Sequence, residues 1–140
     1  MAFSGLGTGI AAEAFITNRV NTTVVEIDPA VYDYARRYFS LPEPNQVYIE
    51  DAREWVHDHA FLAAEDRYDY VVHDCFSGGG VPGHLYTLEF WEKLKGIVKS
   101  DGVVAIVRVV DFDPECGTPI ECEPRILQAG WPVNQHVRYF

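Results

Sequence analysis

Three alternate glycines stand near the start of the chain, Gly5, Gly7 and Gly9 in Gly5-Leu6-Gly7-Thr8-Gly9, and a carboxylate, Glu26, follows 21 positions after the first of them. Residues without a Cβ let a backbone turn sharply and come close to a ligand. An acid about twenty residues beyond such a loop, at the end of the next apolar run, can reach the hydroxyls of a ribose. Its two oxygens accept from both hydroxyls of a diol at once. Asp51 and Asp74 take the same relative place after later apolar runs. Asp51 is placed to accept from an exocyclic amine such as adenine carries, the Ala52 amide can donate to the ring, and Asp74 falls nearest the reacting group. With Ile27 beside Glu26, the expected ligand contacts are Gly5, Gly7, Gly9, Glu26, Ile27, Asp51, Ala52 and Asp74. Together they imply an adenosine derivative. There is no lysine-bearing loop to hold a triphosphate, and G-x-G-x-G is not the G-x-G-x-x-G of redox dinucleotide sites.

Such distant residues meet only if the intervening elements bring them together. Ile10, Ala11, Ala14 and Phe15 recur at helical spacing after the glycines, and residues 22–27 are a β-branched, apolar strand. Asp28-Pro29 reads as a helix start, with Asp28 capping free amides and Pro29 in the first turn. Val31, Ala35, Tyr38 and Phe39 form the expected buried stripe of that helix, and Leu41-Pro42-Glu43-Pro44 stops it. A short strand at 47–49, a helix at 52–63 carrying Trp55, Val56 and His59 near one face, a strand at 68–73 and a loop at 75–84 follow. Thr87 then caps a helix with Phe90, Leu94, Ile97 and Val98 on one side, Ser100-Asp101-Gly102 is read as a turn, and residues 103–110 as a strand.

Strands alternating with helices predict an α/β, Rossmann-like, doubly wound and mostly parallel sheet with right-handed crossovers. Ligands bind such a sheet outside the carboxyl ends of its strands, and the glycine loop, Glu26, Asp51 and Asp74 all fall on that edge. The expected organisation is a nucleoside-binding domain over 1–110 and an irregular tail over 111–140, with a short helix at 123–128 and an edge strand at 134–140. The first strand is so short that the chain reads as a piece of a longer one, truncated at both ends.

Composition narrows the classes. A net charge of −10 argues against a nucleic-acid partner and suits a cationic small molecule. The longest apolar run is far below the roughly 20 residues of a membrane span, and no signal segment opens the chain, so a cytoplasmic protein with no membrane partner is expected. Cys75, Cys116 and Cys122 form no C-x-x-C pair and the five histidines no ligand spacing, so no disulfide framework and no metal are expected. Cys75 lacks an identifiable base and reads as site wall, His73 as strand packing, and Tyr86 as either a site residue or a packing anchor.

Several segments together resemble the spermidine/spermine synthase family. They are Gly5-Leu6-Gly7-Thr8-Gly9, Val24-Val25-Glu26-Ile27-Asp28-Pro29-Ala30-Val31, Glu50-Asp51-Ala52-Arg53, Tyr68 to Asp74, and Leu85-Tyr86-Thr87-Leu88-Glu89-Phe90-Trp91, in family order over residues 4–107. The resemblance implies a class I methyltransferase-like fold and transfer of an aminopropyl group from decarboxylated S-adenosylmethionine to a polyamine. It also implies that Glu26 binds the ribose, Asp51 and Ala52 the adenine, and that Asp74 is the catalytic acid that orients and deprotonates the attacking amine. The synthases usually carry Gly-Gly-Gly-Asp-Gly in the loop, where this chain has Leu6 and Thr8, and a second aspartate where it has Ser77. They also have an N-terminal β domain that closes over the polyamine and helps them dimerise, which this chain is expected to lack; a homodimer is one expected assembly. Relatives with the altered pattern include methyltransferases that use S-adenosylmethionine itself. A methyltransferase is therefore the alternative expectation, and a catalytically silent binding module or enzyme fragment the third.

Overall fold

The short apolar run at the start of the chain does form a strand, β1 (Ala2–Ser4), in the computed structural model, which describes residues 1–76, 82–107 and 137–139. It is followed by α1 (Ile10–Thr17), β2 (Thr23–Glu26), α2 (Pro29–Tyr38), β3 (Gln46–Ile49), α3 (Ala52–His59), β4 (Tyr68–His73), α4 (Leu88–Ile97), β5 (Val98–Ile106) and β6 (Val137–Tyr139), with 3₁₀ turns at Ala64–Asp66 and Gly83–Tyr86. The strands form one sheet in the order β3-β2-β1-β4-β5-β6, and every neighbouring pair is parallel. This is the doubly wound α/β architecture expected from the alternation. Because β2 and β4 flank β1, the strand order reverses beside it, which opens a crevice between the loops leaving β1 and β4.

Local chemistry explains where the helices start. Asp28 accepts from the Ala30 amide at 2.8 Å with Pro29 in the first turn, Asp51 accepts from the Arg53 amide at 2.8 Å, and the Thr87 hydroxyl accepts from the Phe90 amide at 3.3 Å. The helices bury apolar residues on both sheet faces. Trp55, Val56, Phe90, Trp91, Leu94 and Ile97 of α3 and α4 pack against Val71, Val104 and Ile106, each such side chain contributing about 1.5–3 kcal/mol. On the other face Ala12 and Ala35 of α1 and α2 meet Phe3, Val24 and Leu41. No helix among the described residues is long and apolar enough to cross a membrane.

Some boundaries differ from the sequence reading. Tyr38 and Phe39 are exposed, not buried, because Ser40 adopts a positive φ of 56° and turns the chain back. The Leu41 amide then bonds the Ala35 carbonyl at 3.1 Å, and Leu41 covers the core in their place. The helix expected over 52–63 ends at His59. The expected turn at Ser100-Asp101-Gly102 is instead part of β5, which follows α4 without a break. Its extra residues are taken up by a register shift, Tyr68 facing Val98 but Tyr70 facing Val103, and Lys99 Nζ bonds Asp69 Oδ1 at 2.6 Å. β6 falls within the strand expected at 134–140, whereas the helix expected at 123–128 lies outside the described residues.

A tight backbone approach joins β1 to β4. The Asp74 amide donates to the Ser4 carbonyl at 2.8 Å, and Gly5 then turns away with φ 86°. A Cβ on Gly5 would stand 2.1 Å from the Asp74 carbonyl oxygen, whereas one on Gly7, at φ 55°, would meet nothing within 4 Å. Gly5→Ala should therefore destabilise the fold by about 2–4 kcal/mol and Gly7→Ala by only about 1–2 kcal/mol, the left-handed backbone penalty alone. Urea unfolding of the two variants checks this, and equal losses would contradict the contact.

Candidate active site

β1, β2, β3 and β4 deliver their C-terminal loops to one cavity of about 370 Å³, within the roughly 300–1,000 Å³ of small-molecule sites. Of the residues expected at a ligand, Gly5, Gly7, Glu26, Ile27, Asp51, Ala52 and Asp74 all line it. Gly9 does not; it precedes α1 and faces Leu41, so it shapes the loop from behind.

Glu26 ends β2 almost fully buried, 8 % exposed. One of its oxygens accepts from the Leu6 amide at 2.9 Å and the other from the Asp28 amide at 3.0 Å, so the carboxylate clamps the glycine loop to the start of α2. Each oxygen keeps a further lone pair, which leaves acceptors for a ribose diol. Asp51 caps α3 through Oδ1, and its Oδ2 meets His84 Nε2 at 3.1 Å across the cavity. Asp74 follows β4 with its side chain still open to solvent, and partial burial raises its carboxyl above the ordinary aspartate value. A carboxylate so raised is a better proton acceptor. Ile27 and Phe76, 65 % and 58 % exposed, add apolar surface to the same cavity.

Beneath Asp74 lies a group that sequence reasoning placed only as packing and wall. Ser4 Oγ lies 3.3 Å from His73 Nδ1 and 3.1 Å from Cys75 Sγ. His73 is fully buried among the rings of Tyr86, Phe90 and Trp91, and its Nε2 has no hydrogen-bond partner among the described residues. Burial lowers its imidazole to about 4. Burial foremost, with the charges of Glu26, Asp74 and Asp51, pushes the Cys75 thiol up to about 12 against the opposing Ser4 contact. Both groups are thus uncharged at neutral pH, and Cys75 is a wall rather than a nucleophile. Tyr86, 4 % exposed, is a packing anchor beside His73.

His84 and Glu50 also line the cavity and were not singled out by sequence reasoning. For Glu50 the signal was its place beside Asp51; for His84 there was none, because its partner is 33 residues away. A larger cavity, about 610 Å³, lies at the amino ends of the strands, lined by Tyr48, His59, Arg67 and Lys99 among others. It contains none of the expected site residues and lies away from the edge where such sheets bind ligands. Among the described residues no three His, Cys, Asp or Glu side chains are grouped to hold a metal ion.

With this geometry established, comparison with known proteins is specific. Residues 9–112 match the family described as the spermine/spermidine synthase domain. The chain is 47 % identical over 102 residues to an N-terminal histidine N-methyltransferase of Emericella nidulans, covering 73 % of this chain and 18 % of that protein. It is 36 % identical over 104 residues to a polyamine aminopropyltransferase of Vibrio vulnificus, covering 71 % of this chain and 34 % of that one. The chain thus spans about a third or less of the length of these relatives. The spermidine synthase structure from Thermotoga maritima superposes with a TM-score of 0.70 at 22 % identity, covering 91 % of this chain and 44 % of that one, a likeness of fold.

The buried His73 makes stability depend on pH in a definite direction. Its folded value is depressed to about 4 from 6.5, so its contribution is complete above pH 6.5 and is lost as pH falls towards 4, where the unfolded chain takes up a proton first. The loss is on the order of 3 kcal/mol for a group buried this deeply. Urea midpoints across that window should fall steeply for the parent protein and less steeply for His73→Phe, which stays neutral throughout. Parallel acid limbs would contradict a buried neutral imidazole.

Proposed function

Since this chain belongs to the spermine/spermidine synthase domain family, we propose that it is a transferase domain that binds an adenosyl-sulfonium donor and passes an alkyl group from sulfur to an amine nitrogen. One observation carries this reading: the glycine loop, Glu26, Asp51 and Asp74, from four separate strand ends, line a single cavity. In this reading the ribose diol bonds Glu26 and the purine lies beside Ile27 with its amine towards Asp51. The reacting carbon faces Asp74.

The chemistry asks little of the protein beyond placement. The amine lone pair forms the new N–C bond as the C–S bond breaks, and the electron pair stays on sulfur as a neutral thioether, so no general acid is required. The attacking amine must lose a proton, and Asp74, with its carboxyl raised by burial, accepts it. Holding amine and electrophilic carbon in line supplies much of the acceleration. The acidic cavity, with Glu26, Glu50, Asp51 and Asp74 in its lining, favours the cationic donor.

Two alkyl groups fit this scheme. Aminopropyl transfer to a polyamine is the activity named for the Vibrio relative, and methyl transfer is that named for the more similar Emericella protein. The acidic lining by itself suits the more positive, decarboxylated donor, whereas the loop favours methyl transfer from S-adenosylmethionine. A decarboxylated donor ends in a lone ammonium that needs an acid beside it, and residues 5–9 carry none. The full donor also carries a carboxylate, which the Gly7 amide can bind, those of Gly5, Leu6 and Gly9 being engaged by Val25, Glu26 and Leu6.

Calorimetric titration with S-adenosylmethionine and its decarboxylated form decides between the two. A clear preference for the carboxylated donor is expected, the reverse preference would restore aminopropyl transfer, and binding of neither would leave a silent module. With the favoured donor, Asp74→Asn should lower turnover by about 10²–10⁴-fold while changing donor affinity little. Unchanged turnover would remove Asp74 from the chemistry.

A further inference from the structure

Among the described residues His84 is the one imidazole in the cavity lining, and it lies opposite the carboxylate assigned to the purine. Its Nε2 is 3.1 Å from Asp51 Oδ2. A carboxylate has no proton to give, so Nε2 carries the hydrogen and donates it. The other oxygen of Asp51 is already engaged by the Arg53 amide at 2.8 Å. With one oxygen engaged by its own helix and the other by His84, rotation of the carboxylate is opposed at both ends, although the two side chains remain 31 % and 41 % exposed. The base from which His84 reaches is itself fixed. Leu85 and Tyr86, the next residues of the 3₁₀ turn, are each 4 % exposed, and the Leu85 amide bonds the Pro82 carbonyl at 3.0 Å. The pair therefore ties the wall made by the start of α3 to the wall made by the 3₁₀ turn.

We propose that His84 is a positioning residue for the donor's purine, fixing Asp51 so that the site selects a base with an exocyclic amine over one without it. The inference rests on the reading of the cavity as an adenosyl site. A rigid acceptor discriminates more sharply than a mobile one, because a base that offers no N–H leaves it unpaired rather than free to turn towards water. His84 does not touch the reacting atoms, so it belongs to recognition, and its loss should appear in affinity rather than in the rate of the bound complex.

The test is calorimetric binding of S-adenosylhomocysteine and of its analogue lacking the purine amine to the full chain, in parent, His84→Ala, His84→Gln, Asp51→Ala and Asp51→Ala with His84→Ala forms. Thermal melts verify that each is folded. The parent should prefer the amine-bearing ligand. His84→Ala should lose about 3- to 10-fold in affinity for it, the size of one hydrogen bond, and almost nothing for the analogue. His84→Gln, whose amide can still donate to Asp51, should recover most of the loss, and removing His84 in the Asp51→Ala background should add no further discrimination. Equal loss on both ligands would make His84 merely structural, and parent-like affinity of His84→Ala would make the pair idle; either overturns the inference while leaving the adenosyl site standing. If the parent binds neither ligand, the reading of the cavity fails and the inference with it.

Discussion

At the seam between β1 and β4, the Ser4 carbonyl accepts from the Asp74 amide, and Gly5 passes so close to the Asp74 carbonyl that no side chain fits between them. Strand order reverses at this seam, so it joins the half of the sheet carrying Glu26 and Asp51 to the half carrying Asp74. The glycine loop is also held from the other side, because the buried Glu26 carboxylate takes the Leu6 amide. Position of the loop, direction of the Glu26 carboxylate and placement of Asp74 thus follow from one close approach and one clamp. Widening the seam would disturb all three together.

The electrostatics of the cavity follow from the same packing. Acids end successive strands, and the groups beneath them are kept neutral: His73 by burial, Cys75 by burial and by the neighbouring carboxylates. Among the described residues of its lining His84 is the sole basic side chain, engaged by Asp51. A lining of this kind attracts cations, and the raised carboxyl of Asp74 makes it a proton acceptor. The net charge of −10 acquires a local meaning here, although most of the described acids lie outside the cavity.

Much of this was legible in the sequence because its signals are local. A β-branched run ending in an acid, followed by Asp-Pro, announces a strand, a ligand edge and a helix start within eight residues, 22–29. The alternation of such units dictates the parallel sheet, which brings Glu26, Asp51 and Asp74 to one edge whatever the details of the loops. Features that depend on distant partners were not legible. His84 meets Asp51, and Ser4 meets His73 and Cys75, only through the folded sheet. The exposure of Tyr38 and Phe39 turns on Ser40 adopting a positive φ, which helical periodicity does not foresee. The expected turn at 100–102 falls in the irregular stretch of β5 between Val98 and Val103, whose pairing with Tyr68 and Tyr70 carries one strand through it, a tertiary choice that local turn residues do not control.

The most direct test of the central claim is a crystal structure of the chain with S-adenosylhomocysteine. The account predicts the ribose hydroxyls on Glu26, the purine amine on Asp51 and the sulfur beside Asp74, in the cavity formed by the glycine loop. A nucleoside seated instead in the larger cavity at the amino ends of the strands, or one whose ribose leaves Glu26 untouched, would contradict it.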